Sequence, residues 1–303
     1  MESILTTSSI TKTYKKVNAV NNISINIKQG DIYGLVGRNG AGKTTLMRMI
    51  TGLASPSSGD YKIFGQLPKE NKDVLKRVGC LIEEPGVYPD MTAKENLHQK
   101  GILLGIKKKG YEESLLDLVG LGDVGNKKVK QFSLGMKQRL GIALALVGEP
   151  DLLILDEPIN GLDPQGIAQV RDMIIKLNKE RNITFLISSH ILEELSKICT
   201  RFGFLNKGFL VEEDTAEELY EKCRDYVVIK TETPEKACTV LDSLDIKNYK
   251  VVERNTIKVF ERIEDTALMN TALVKFGIEV KEIHLEGASL EEYFLKITGG
   301  NEQ

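Results

Sequence analysis

Three short apolar runs set the first expectation for this chain. Residues 32–36, 152–155 and 183–187 are almost free of polar side chains, and each run ends in small, polar or acidic residues. Unbroken runs of this length suit strands buried on both faces of a parallel sheet. A second pattern lies between them. Thr92, Ala93, Lys94 and Glu95 form a helix-start signal and residues 111–119 carry apolar positions at helical spacing, so a mostly helical insertion is predicted after Pro85. After about residue 216 the pattern changes again. Strands are predicted over 226–229, 250–252, 256–260 and 278–285, with helices over 234–243 and 265–276. That βαββαβ order fits a small ferredoxin-like or related α+β module. A last helix is predicted to start at Ser289, with Tyr293 and Phe294 used for packing.

Length and charge narrow the picture. A chain of 303 residues holds one large core plus a smaller domain. Residues 1–200 contain 27 Lys and Arg against 22 Asp and Glu, whereas residues 201–303 contain 14 against 21, so the two regions present different surfaces. The overall net charge of -2 gives no support for broad nucleic-acid affinity. The lysine runs at 15–16 and 107–109 read as solvated faces whose charge is available for nucleotide attraction or docking. Cys80, Cys199, Cys223 and Cys238 are dispersed without metal-like spacing, which fits unpaired thiols in a reducing compartment, and no transition-metal site is expected. The opening residues resemble neither a signal peptide nor an anchor, and the apolar stretches at 142–147 and 152–155 are too short to span a bilayer. Any membrane-crossing part of a working assembly would therefore belong to another chain.

Candidate chemistry sits at the ends of the predicted strands. After the run at 32–36 come Gly37, Arg38, Asn39, Gly40, Ala41, Gly42, Lys43, Thr44 and Thr45, a Walker A phosphate loop. Its glycines permit the turn and backbone amides at the following helix start surround phosphate oxygens. Lys43 reaches the β and γ phosphates, and Thr44 is a magnesium ligand. The run at 152–155 delivers Asp156 and Glu157: Asp156 is the candidate Mg2+ carboxylate, acting through water, and Glu157 the group that polarises the water attacking the γ phosphate. His190 follows the third run, placed to contact the γ phosphate and organise Glu157.

Taken in order, Tyr14, the loop from Gly37 to Thr45, Ser133, Leu134, Gly135, Met136, Lys137, Gln138 and Arg139, the pair Asp156 and Glu157, Gly161, Leu162 and Asp163, and His190 resemble an ATP-binding-cassette transporter ATPase over roughly residues 1–215. The fold class this implies is α/β: a P-loop nucleotide-binding domain over 1–215, with a helical subdomain at about 84–140, and a small C-terminal α+β accessory domain over 216–303. The resemblance also implies that Tyr14 stacks on adenine, although an ordinary first-strand aromatic would look the same. Leu134 and Met136 depart from the common signature, while Ser133 and Gly135 keep it; by resemblance Ser133 and the helix-start amides hold the γ phosphate from across a head-to-tail dimer. Asp163 falls in the segment expected to communicate between the two sites, unless it only caps a loop.

Glu83 and Glu84, just before Pro85, are the unusual feature. Many related transporter ATPases carry glutamine at the position of Glu83. The acid resembles the bacitracin-resistance and lantibiotic self-protection branch, and as a family position it implies contact with Mg2+, the attacking water or a membrane partner; a pair of surface acids at a bend is the plain alternative. The resemblance implies ATP and Mg2+ as cofactors, a second copy of the chain and a separately encoded permease as partners, and a peripheral position on the cytoplasmic face of the membrane. A groove edged by Tyr88, Pro89, Asp90 and Met91 would receive the permease, and the permease would bind a peptide or other amphiphilic cargo. The competing class is a soluble ATP-dependent regulatory or structural protein. One motif set, no long coiled-coil insertion and no basic footprint count against it.

Overall fold

The computed structural model describes residues 2–299. The chain divides between Ala216 and Glu217 into two compact units.

The first unit is built on two sheets. Strands β1 (Ser3–Tyr14), β2 (Val17–Ile23) and β3 (Asn26–Lys28) form an antiparallel sheet in the order β2-β1-β3. Strand β4 (Ile32–Gly37) then enters a second, six-stranded sheet, and helix α1 (Lys43–Ile50) follows it; β5 (Ser58–Ile63) returns to pair with β1. The second sheet is completed by β6 (Val78–Leu81), β7 (Leu152–Asp156), β8 (Thr184–Ser189), β9 (Arg201–Asn206) and β10 (Phe209–Thr215), in the order β10-β9-β4-β8-β7-β6. All of its pairings are parallel except that of the edge strand β10. Every residue of β4, β7 and β8 is buried, as the apolar runs require. Leu46, Met47, Met49 and Ile50 of α1 share one cluster with Leu5, Ile10 and Ile27 of the antiparallel sheet and Leu35, Ile154 and Leu186 of the parallel sheet. The helix behind the phosphate loop is thus part of the core and holds the loop firmly.

The insertion is helical: α2 (Ala93–Leu104), α3 (Tyr111–Leu118) and α4 (Leu134–Leu146). Thr92 and Glu95 close a capping box at the start of α2. Asn96, only 3% exposed, clamps the loop before α2: its side-chain oxygen accepts from the Tyr88 amide at 2.7 Å and its nitrogen donates to the Tyr88 and Thr92 carbonyls at 3.1 and 2.9 Å. Two further helices, α5 (Pro164–Arg181) and α6 (Leu192–Ser196), lie between the sheet strands in sequence. Among the described residues no helix is long and apolar enough to cross a membrane.

The second unit begins within the first turn of α7 (Ala216–Cys223), continues through β11 (Tyr226–Lys230), α8 (Pro234–Ser243), β12 (Tyr249–Glu253), β13 (Thr256–Val259), α9 (Thr266–Lys275) and β14 (Glu282–Glu286), and includes α10 (Leu290–Ile297). Its antiparallel sheet runs β12-β13-β11-β14, the strand order of a ferredoxin-like split βαβ. Val227, Ile229, Ile257 and Val259 of the sheet pack with Ala237, Val240 and Leu241 of α8 and Met269 and Leu273 of α9. One expectation is corrected. The last sheet strand starts at Glu282 instead of residue 278, because Gly277 turns at φ +75° and the Ile278 amide bonds back to the Leu273 carbonyl. The apolar side chain of Ile278 closes the end of α9, which spends its hydrophobicity on a helix stop.

Candidate active site

The six-stranded sheet gathers the chemistry along the carboxyl ends of its parallel strands, where open α/β sheets bind ligands. From β4 the chain turns through Gly40 (φ +82°) and Gly42 (φ +106°) into α1. A Cβ at Gly42 would lie 2.4 Å from the Ala19 carbonyl oxygen, so that position needs glycine for space as well as for backbone angle. Gly42 provides no side-chain cap, and the first-turn amides of α1 have no side-chain acceptor there. Arg38, Asn39 and Gly40 are exposed, Ala41 is buried, and Lys43 is 5% exposed. The Lys43 ammonium donates to the Gly37 carbonyl at 2.6 Å and lies 3.1 Å from Glu157 Oε1. Glu157 Oε1 has no hydrogen-bond partner, so the attraction to Lys43 is ionic without hydrogen-bond alignment.

Strand register explains the rest. Asp156 pairs with Ser188, and Ser188 with Leu35, so the ends of β7 and β8 stand level with the end of β4. Asp156 is 4% exposed and accepts from Thr44 Oγ1 at 2.8 Å and from Ser188 Oγ at 2.5 Å. Ser188 Oγ in turn accepts from the Glu157 amide at 2.9 Å. Glu157 has φ +47°, a left-handed angle that L-residues seldom adopt, and its Oε2 meets His190 Nδ1 at 2.9 Å. One carboxylate therefore spans Lys43 and His190, while a second joins Thr44 to Ser188. Ser188 had no role in the sequence reading. Its signal was a serine directly after an apolar strand run, which becomes informative only when the register sets it between two acids.

Hard oxygen donors at Thr44 and Asp156, beside a phosphate loop, fit the preference of Mg2+ for oxygen ligands. Glu83 is placed differently. It lies two residues past the end of β6, whose last paired residue, Leu81, sits against Leu155 of β7; its φ is +61°. Its carboxylate is 58% exposed and binds Arg48 of α1 at 2.7 Å. Among the described residues no hydrogen bond or ion pair joins Glu83 to Thr44 or Asp156. Tyr14 ends β1, is 46% exposed as a residue, and has the Lys12 ammonium 5.1 Å from its ring centroid.

Ser133 caps α4 by accepting from the Met136 amide at 3.2 Å, and Asp163 caps α5 by accepting from the Gly166 amide at 2.9 Å. Both line one open concavity of about 450 Å³ together with Leu134, Gly135, Met136 and Leu162. Lys137 sits in the first turn of α4, its amide bonded to the Ser133 carbonyl. Among the described residues nothing bonds this group to Lys43, Asp156 or Glu157 within the single chain.

Residues 20–160 match the family model described as ABC transporter. The chain is 44% identical to the bacitracin transport ATP-binding protein BcrA of Bacillus licheniformis, over 99% of each chain. It belongs to the ABC transporter ATP-binding proteins. The lantibiotic transport ATP-binding protein SrtF of Streptococcus pyogenes is 43% identical over 72% of this chain and 95% of its own. Among solved structures, the dimeric post-hydrolysis state of the ATP-binding cassette MJ0796 bound to ADP and Pi matches with TM-score 0.63 at 26% identity, over 70% of this chain and 98% of that one. As an ABC ATPase the chain binds ATP, and its reaction is ATP hydrolysis coupled to transport. The MJ0796 match covers most of that cassette and only part of this chain, so the ABC ATPase here carries structure beyond that cassette's length.

Proposed function

We propose that this ABC ATPase powers a separately encoded permease that exports or removes antimicrobial peptides, working as a head-to-tail pair on the cytoplasmic face of the membrane. The carrying observation is the Glu157 carboxylate held between Lys43 and His190. Lys43 binds the β and γ phosphates of ATP, and in doing so moves its charge from Glu157 to the substrate. Glu157, still oriented by His190 and by the hydrogen bond its backbone N–H donates to Ser188 Oγ, then polarises the water that attacks the γ phosphate. Thr44 and Asp156 are the residues that would hold Mg2+, which would neutralise phosphate charge. Ser133, Gly135 and the start of α4 in the second copy close over the γ phosphate, Asp163 relays between the two sites, and Tyr14 supports adenine. The peptide cargo is supported by the likeness to the bacitracin and lantibiotic transport proteins.

The test is capture of tagged protein from gently solubilised native membranes, followed by ATPase assay of the recovered assembly with peptide antibiotics. A stoichiometric integral-membrane companion and peptide-stimulated turnover are expected. Recovery with soluble partners alone would replace the transporter reading by the regulatory one.

A further inference from the structure

The tip of the helical insertion carries a surface that ATP chemistry does not use. Ile102, Leu103 and Leu104 form the last turn of α2 and are 59%, 79% and 46% exposed. Successive helix residues are separated by about 100° around the axis, so three consecutive exposed positions spread apolar surface over about 200° of this helix end, while the following loop lines a concavity with Leu146, Glu149 and Ile183. Gly105 then stops the helix with φ +71°, with the Ile106 amide bonded to the Gly101 carbonyl at 2.9 Å, and the chain enters Lys107, Lys108 and Lys109, all exposed. No acid occurs between Glu95 and Glu112. Of the three lysines, Lys108 pairs with Glu149 at 2.8 Å. An apolar knob is therefore joined directly to a cationic loop.

We infer that this tip docks on an anionic lipid surface: Ile102, Leu103 and Leu104 enter the headgroup and acyl boundary, and Lys107 and Lys109 meet lipid phosphates. Side chains of this kind give shallow, salt-sensitive membrane attachment. Charge selects lipid over a permease loop. Cytoplasmic loops of membrane proteins carry excess Lys and Arg and would repel this run, whereas the cytoplasmic leaflet is negative. Position agrees, because the loop clamped by Asn96 lies at the other end of α2, about 18 Å away along the helix, and leaves the tip for a different contact. The inference rests on the membrane location in the proposed function, but its vesicle test needs no permease.

The purified full chain is sedimented with vesicles of phosphatidylcholine alone or of equal parts phosphatidylglycerol and phosphatidylcholine, at low and high salt. Binding to the anionic vesicles at low salt only is expected. The double variant Lys107→Glu, Lys109→Glu should weaken it by at least about five-fold per lysine, and Leu103→Ser by about ten-fold, with basal ATPase and thermal midpoint unchanged. Failure to bind anionic vesicles, or undiminished binding by both variants, overturns the inference. So does a result in which the variants bind vesicles like wild type but lose the permease in detergent, which would make the tip a protein contact. Failure of the membrane capture alone would count against the transporter reading and leave the vesicle result standing.

Discussion

At the scale of single residues, Ser188 is the side chain whose importance is least visible in the sequence. It is fully buried, donates to Asp156 and accepts from the Glu157 amide. Ser188→Ala leaves the Glu157 amide without its acceptor and Asp156 Oδ1 without its donor, while Thr44 still donates to Oδ2, so a loss of about 1–3 kcal/mol in stability is expected from urea unfolding. Turnover should also fall, by about 10–100-fold if Ser188 supports a metal-holding carboxylate; unchanged turnover would make the serine purely structural. Glu157→Gln should keep ATP binding and suppress hydrolysis, and rapid turnover by the purified variant would remove the water-polarising role. Glu83 requires a paired experiment because Arg48 holds it at 2.7 Å. Glu83→Gln is expected to change permease-coupled turnover more than ATP affinity, and Arg48→Gln should shift the same quantity. If the double variant shows the plain product of the two single effects, the ion pair plays no part in coupling. The exposed pair itself contributes little to stability, so unfolding should barely register either change.

At the scale of elements, the central strands were legible because burial on both faces leaves an unbroken apolar run, and β4, β7 and β8 show that burial at every position. Helix α2 was legible from Thr92 and Glu95, whose capping box is present. The extension of β8 through Ser188 and Ser189 was not. Polar residues end a strand by pattern, yet here register with β4 and β7 continues and the hydroxyls find partners. The start of β14 was misjudged for the opposite reason, since an apolar residue was used to stop a helix. Partners distant in sequence, such as Arg48 for Glu83, leave no local trace at all. The order of acids, lysine and histidine was readable, whereas their mutual bonds required the fold. Thr92→Ala removes a cap and should destabilise the protein by about 1 kcal/mol in the same unfolding assay. Gly42→Ala should abolish nucleotide binding, measured by fluorescent-ATP titration, because its Cβ would press on the Ala19 carbonyl in the floor of the loop.

At the scale of the whole molecule, among the described residues no bond joins the phosphate loop to the Ser133 concavity within one chain, which fits the head-to-tail pair proposed above. Glu157→Gln with ATP should therefore shift the chain from monomer to dimer in size-exclusion chromatography, and Ser133→Arg should reverse that shift without disturbing the phosphate loop. A dimer that persists in the double variant would place the contact elsewhere. The left-handed backbone at Glu83 and Glu157 has a broader consequence. Glycine would occupy either position with less strain, so a chain optimised for heat resistance alone would carry no carboxylate at these two strand ends. Both acids stand against the conformational preference of their own backbone, so if the proposed roles hold, thermal tolerance and turnover are set in opposition at these two positions.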